Sequence, residues 1–421
     1  MHSNHLLNGT MQYHEGTFHA RLPFMSYLED NSRTGRVLLP DLVRAFALLG
    51  IVLVNVAFFA FPGELTYHAG GLNSALDNAA YFGVNALFLF KSYTLFSFMF
   101  GVGLAYQMLS AEQRGVQFTA SYFRRLTGLI ILGILHVTLA FQGDILIFYG
   151  ILGIGLYFFR NASQKTLVTT GIVLVIVQVL IALLFSVSLY LGDVYSPDEM
   201  KTLGDDIQRN TVAAISVHSN GDFTEIASRR WGDWLGMLQF VLPLQGPGVF
   251  AFFLFGLAAV RSGVLTDATA PLWSKSRRVY LPIGLLISVV GATIYVISDN
   301  PISSGGLFSY ALIVLAAPFS SLGYIGLIAK WSAQPTSAFK VFVARGGTAS
   351  LTAYLLQSLI LSLIFCGYGL GLYSKLGAFA CISIAFVVGS LTISFASIWR
   401  TRFKLGPMEI LLRRWTYLGQ R

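Results

Sequence analysis

The chain has 421 residues, 55% of them hydrophobic and only 11% charged, with a mean hydropathy of +0.67, which excludes an ordinary soluble domain. Its 28 Lys and Arg against 19 Asp and Glu give a net charge of +9, a balance that membrane topology alone can produce, so no nucleic-acid partner has to be invoked. Apolar runs recur from Pro40 onward, each near the roughly 20 residues that a helix needs to cross hydrocarbon, and the alternation of a barrel is absent. An all-α integral membrane protein is therefore expected.

Residues 1–35 read as a flexible polar leader without an apolar h-region, so no cleaved signal peptide is indicated. His2, His5, His14 and His19 are irregularly spaced and have no cysteine beside them, and a floppy leader explains them better than a metal site does. Periodicity and breakers then predict about ten transmembrane helices, near 40 to 61, 79 to 110, 118 to 142, 144 to 160, 166 to 192, 231 to 261, 277 to 298, 307 to 329, 347 to 371 and 376 to 399. They divide into a first bundle of five helices over 36–192, an extracytoplasmic excursion over 193–230 and a second bundle of five over 231–399. A cytoplasmic amphipathic tail over 400–421 follows. Placing both termini in the cytoplasm puts 22 of the 28 basic residues on that side, as the positive-inside rule requires.

Within the excursion, "DVYSPDEMKTLGDD" reads as acidic and turn-like and "IQRNTVAAISV" as more helical, with His218 exposed in the turn "HSNGD". "LPLQGPG" (Leu242 to Gly248) should break the sixth segment at Pro243 and Pro247, leaving Trp231 to Phe240 at the outer interface. The tail places Ile410, Leu411, Trp415 and Leu418 beside Arg413 and Arg414, the pattern of an interfacial helix on the cytoplasmic surface. Cys366 and Cys381 lie in apolar stretches and read as small packing residues.

Ionisable groups inside the spans are the candidate site residues. Asp41 and Arg44 share a helix face at the inner end of the first span, either as a structural ion pair or to meet an anionic ligand. Asn55 lies about 16 Å further along, where a buried amide wants a partner. Lys91 must face the bundle interior, neutralising a carboxylate or holding a phosphate or oxyanion. His136 precedes Asp144 by eight residues across the turn "FQG", which folds their helices into a hairpin. Capping of its own helix is the plain explanation of Asp144, and a buried hydrogen bond that of His136, but the rarity of histidine within a span favours chemistry. With His68 of the first outer loop, these groups map between the midplane and the outer surface, and a cavity opening outward accommodates them together. No triphosphate loop, dinucleotide fingerprint, HExxH or GxSxG occurs, and "GVGLAYQ" and "GYGLGL" read as helix-packing segments.

"DLVRAFALLGIVLVN", "FKSYTLFSFMFGVG", "RRLTGLIILGILHVTLAFQGDILIFYGILG", "SLTAYLLQSLILSLIFCGYGLGL" and "LGPMEILLRRWTY" together resemble the YeiB family of bacterial inner-membrane proteins over Arg36 to Tyr417. Ala45, Thr348 and Ala353 depart from its pattern. That family is similar in turn to the transmembrane acyltransferases that include heparan-α-glucosaminide N-acetyltransferase. The resemblance implies acyl transfer from a cytoplasmic acyl-CoA to a sugar, lipid or small-molecule acceptor across a bacterial inner membrane, with no metal. Asp41, Arg44, Asn55 and His68 match that family's opening motif. His68 or His136 would be base or acyl carrier, Asn55 or Lys91 the oxyanion donor, and Asp144 the orienting acid. Arg44, Arg124 and Arg125 face the side from which coenzyme A arrives. A transporter or exporter using His136, Asp144 and Lys91 is the alternative, and a purely structural role a third; a homodimer is an open assembly.

Overall fold

The computed structural model describes residues 38–115, 117–298 and 300–418. The leader with its four histidines lies outside the described residues. Those described form helices joined by short turns, with no strand among them. In chain order they are α1 (Leu39–Ala60), α2 (Ala75–Leu87), α3 (Lys91–Arg114), α4 (Phe118–Leu139), α5 (Leu146–Phe158), α6 (Gln164–Tyr195), α7 (Pro197–Asn220) and α8 (Phe223–Arg261). After these come α9 (Pro271–Ile297), α10 (Ser304–Ser332), α11 (Ala338–Gly347), α12 (Ser350–Phe365), α13 (Ala378–Arg402) and α14 (Pro407–Thr416).

Eight helical runs are long and apolar enough to cross a membrane, counting Ala75–Arg114 as one, and α11 with α12 makes a ninth that bends by 77°. The remaining expected span, the fourth in chain order at 144 to 160, is α5, whose 13 residues extend only about 20 Å, short of the hydrocarbon thickness.

α1 is the central helix. Pro40 occupies its first turn, where a missing N–H costs nothing, and Asp41 meets the favourable end of the helix dipole. Most of its residues are buried, because α3, α11, α12 and α13 all pack on it. α3 crosses α8 closely: a side chain on Gly101 would meet the Phe253 backbone, and one on Gly256 the Phe98 carbonyl. Small residues at such crossings let helix backbones approach.

Four features differ from the sequence expectation. The second span is broken, since Phe90 takes a left-handed φ of 62° between α2 and α3. α8 runs unbroken for 39 residues through Pro243 and Pro247; the proline rings remove two backbone donors without ending it, because the helix is held on its neighbours α3 and α6. The acidic part of the excursion is helical in α7, with Pro197 at its start and Asp198 and Glu199 in its first turn. His218 is accordingly no exposed turn residue: it lies in the last turn of α7, 2% exposed and stacked on Tyr373 at 4.6 Å. "GYGLGL" also falls outside a helix, because α12 ends at Phe365.

The tail helix α14 forms as expected, yet it is docked on protein. Leu412 is buried and packs with Trp415 over Gly128 of α4. Glu409 accepts from the Leu351 and Thr352 amides at 2.8 and 3.2 Å and from the Thr352 hydroxyl at 2.6 Å, closing the N-terminus of α12.

Candidate functional site

A cavity of about 250 Å³ opens among α1, α8, α9, α10, the α2–α3 break and the α4–α5 turn. Its wall is aromatic: Phe58, Phe88, Phe90, Phe141, Phe148, Trp234, Tyr93, Tyr149, Tyr295 and Tyr310. The left-handed turn at Phe90 puts Phe88, Leu89, Phe90, Ser92 and Tyr93 against the cavity, which a continuous helix would present on different faces. Irregular backbone at membrane depth is tolerated where it borders such a space. α8 contributes a stripe at helical spacing, Trp234, Leu238, Val241, Gln245 and Val249.

Asp144 faces this cavity and His136 stands behind it. The carboxylate does two things at once: Oδ1 accepts from the Ile147 amide at 2.9 Å, capping α5, and Oδ2 accepts from His136 Nδ1 at 2.7 Å. Both side chains are almost fully enclosed, at 0% and 2% exposure. The two structural roles that the sequence left open are thus filled together. A carboxylate that only accepts fixes the imidazole proton on Nδ1. Nε2, the remaining acceptor, is buried without a partner among the described residues, and the imidazole ring lies 5.0 Å from the ring of Tyr354 and 5.9 Å from that of Phe141.

Of the other sequence candidates, only Asn55 joins Asp144 in lining the cavity. Lys91 opens α3, fully enclosed, with its ammonium donating to the Asn85 carbonyl at 3.3 Å and to the Ser288 hydroxyl. No carboxylate among the described residues forms a salt bridge with it. His68 sits in a 3-10 turn, Thr66–Ala69, against the rings of Tyr81 and Tyr295 at 5.7 and 6.4 Å. It touches the cavity wall from outside, through Tyr295. Asp41 and Arg44 pair at 3.0 Å at the far end of α1, and Arg44 and Glu409 lie near enough to Arg125 to act on its charge. The structure therefore divides five of the candidates into a cavity group, Asn55, Asp144 and His136, and two separate surroundings for Lys91 and His68.

Sequence reasoning missed Gln245 and Arg230. Gln245 lines the cavity opposite Asn55's helix, and a signal was present: a carboxamide lying between Pro243 and Pro247 in an apolar run. Arg230, 1% exposed, gave no such signal, because "SRRW" reads as an ordinary hydrophilic end. Among the described residues no group of three or more His, Cys, Asp or Glu is placed to hold a metal ion.

These features define a multi-pass α-helical membrane protein with a polar-edged aromatic cavity and a buried acid–imidazole pair. The chain belongs to the YeiB family. It is 30% identical over 396 residues to the Uncharacterized protein YeiB of Escherichia coli (strain K12), covering 89% of this chain and 95% of that protein. It is 31% identical over 413 residues to the Uncharacterized protein YxaH of Bacillus subtilis (strain 168), covering 94% and 98%. An uncharacterized 39.9 kDa protein from the amylase 3' region of Bacillus acidopullulyticus is 24% identical, covering 90% and 92%. Residues 259–419 match the family described as Protein of unknown function (DUF418). No solved structure matches.

Proposed function

We propose that the chain is a transmembrane acyltransferase of a bacterial inner membrane, with both termini cytoplasmic, that moves an acyl group from a cytoplasmic acyl-CoA to an acceptor reaching the cavity from outside. The observation that carries this reading is the Asp144–His136 pair, with an unpartnered Nε2, against a cavity that Asn55 and Gln245 also line. Acyl transfer needs a proton acceptor for the attacking hydroxyl or amine and donors for the thioester oxygen. The pair takes the proton as the new C–O or C–N bond forms. Asn55 and Gln245 donate to the developing oxyanion. The C–S bond breaks, and the proton taken up by the pair passes to the departing coenzyme A thiolate, which restores the pair. Arg44, on the same helix as Asn55 and about 16 Å closer to the cytoplasm, lies where coenzyme A phosphates would arrive, with Arg125 nearby.

One observation favours a transporter as second reading: the α2–α3 break borders the cavity, and discontinuous helices of this kind line substrate sites in secondary transporters. One sample separates the two. Full-length protein in nanodiscs, given acetyl-CoA labelled in the acetyl group, should bind it, release coenzyme A thiol when an acceptor mixture is added, and lose that release in His136→Ala. Solute flux in liposomes with no thiol release would replace the first reading with the second.

A further inference from the structure

A guanidinium carries its charge at any accessible pH and is costly to enclose without a counter-charge. Arg230 is enclosed on α8 with none among the described residues. Its Nη2 donates to the Ser362 hydroxyl at 2.6 Å and the Tyr368 hydroxyl at 2.7 Å and touches Cys366 Sγ at 3.3 Å. Nη1 reaches the Thr138 carbonyl at 3.4 Å, and Nε is buried with no acceptor among the described residues. Burial pushes the Tyr368 phenol above its ordinary value, so that hydroxyl is a neutral partner. The adjacent Arg229 shows what a matched arginine looks like, 2.8 Å from Asp233. Among the described residues no carboxylate pairs with Arg230 in this way.

Its position gives the unmatched charge a use. Arg230 precedes Trp234, the first α8 residue of the cavity wall, by one helical turn, and Thr138 follows His136 by two residues. Arg230 therefore crowns the outward end of the cavity wall. Tyr368, in the turn after α12 and only partly buried, covers it from outside. Ser362 and the Tyr368 hydroxyl contact each other closely, two neutral groups crowded onto one cation.

We propose that Arg230 anchors an anion site at the outward rim of the cavity, taking a carboxylate or phosphate group in the place now held by the Tyr368 hydroxyl. This goes beyond the acyl-transfer reading, since the same anchor serves an acceptor or a transported solute. A bidentate oxyanion satisfies the guanidinium fork that three neutral groups share poorly.

Inorganic phosphate is the probe, and the thermal midpoint of full-length protein in phosphatidylcholine nanodiscs is the readout. Phosphate should raise the midpoint of the wild type, and Arg230→Gln should abolish the rise. Tyr368→Phe removes the competing hydroxyl and should lower the half-saturating phosphate concentration by about fivefold, the worth of one hydrogen bond. Nanodiscs containing phosphatidylglycerol separate the two sources of the anion: a headgroup in the site raises the midpoint and blunts the phosphate response, whereas a free anion leaves that response intact. A wild type indifferent to phosphate and to phosphatidylglycerol, or an Arg230→Gln protein that responds as the wild type does, overturns the proposal. If Arg230→Gln does not fold, an unchanged half-saturation in Tyr368→Phe overturns it alone.

Discussion

Asp144→Asn and His136→Ala should separate the stability of the buried pair from its chemistry. In the wild type Asp144 satisfies both the Ile147 amide and His136 Nδ1. Asparagine keeps the cap, because its carbonyl still accepts from Ile147. Its amide can donate to Nδ1 once the imidazole proton moves to Nε2, so one hydrogen bond is exchanged for another at about 1 kcal/mol. The cost falls on function: the free nitrogen becomes a donor, and a base in the wrong tautomer loses on the order of 10⁴ in rate. His136→Ala does the reverse. It strands a carboxylate of 0% exposure with its cap as the remaining partner, and breaking a buried pair from one side costs about 3–5 kcal/mol. The double variant carries no stranded charge and should be more stable than His136→Ala alone, a coupling of about 2 kcal/mol. Denaturation in detergent micelles, followed by tryptophan fluorescence with Trp234 on the cavity wall, measures all three. Equal destabilisation by Asp144→Asn and His136→Ala, or costs that simply add, would refute the reasoning.

Two further outcomes follow from groups away from the cavity. Glu409→Ala removes the acceptors of two α12 amides and one hydroxyl, and loss of a cap with its charge–dipole term should cost about 2 kcal/mol; Glu409→Gln should fall between, and a loss under about 0.5 kcal/mol would mean that the tail does not hold α12. Burial lowers the His218 imidazole from 6.5 to about 4, with Arg230 and Arg229 adding to it and the Ala214 carbonyl opposing. The folded state then binds fewer protons than the unfolded chain between those values, so stability is full above 6.5 and declines as pH falls toward 4, by at most about 1.4 kcal/mol per unit. His218→Phe keeps the stack on Tyr373 and should flatten that decline in a pH series of thermal midpoints.

The lipid-facing part of the fold was legible because hydrocarbon imposes one rule on every span, and α1, α4, α6, α10 and α13 sit close to where apolar runs place them. α8 was not, since Pro243 and Pro247 announce a break that packing against α3 and α6 overrides. α7 was half hidden, because its polarity reads as a loop until Pro197 and the acids behind it are taken as a helix start. Local reasoning found the Asp144–His136 pair, whose members are eight residues apart. It could not find Arg230 with Ser362, 132 residues apart, nor join Asn55 to Gln245, because such meetings are decided by helix packing. For the same reason Lys91 was placed inside the bundle without its partner Ser288, which comes from α9.

The charges around the cavity have a common sense. Its acidic liner, Asp144, accepts from an imidazole and a backbone amide, whereas Arg230, one turn from Trp234, meets only neutral groups among the described residues. A fixed guanidinium without a carboxylate, held in a low-dielectric bundle at one end of that space, gives that end a positive potential. Such a potential favours a guest that brings or develops negative charge, as a thioester carbonyl does on becoming an oxyanion and as a phosphate does on entry. It disfavours a cationic solute. Arg44 differs, because Asp41 balances it at 3.0 Å, so that end of α1 lacks this bias. The electrostatics thus select the sign of the group that meets this end of the cavity independently of which reaction or movement it undergoes, and a cationic compound that bound there more tightly than its anionic isostere would contradict the assignment of Arg230 as the charge at that end.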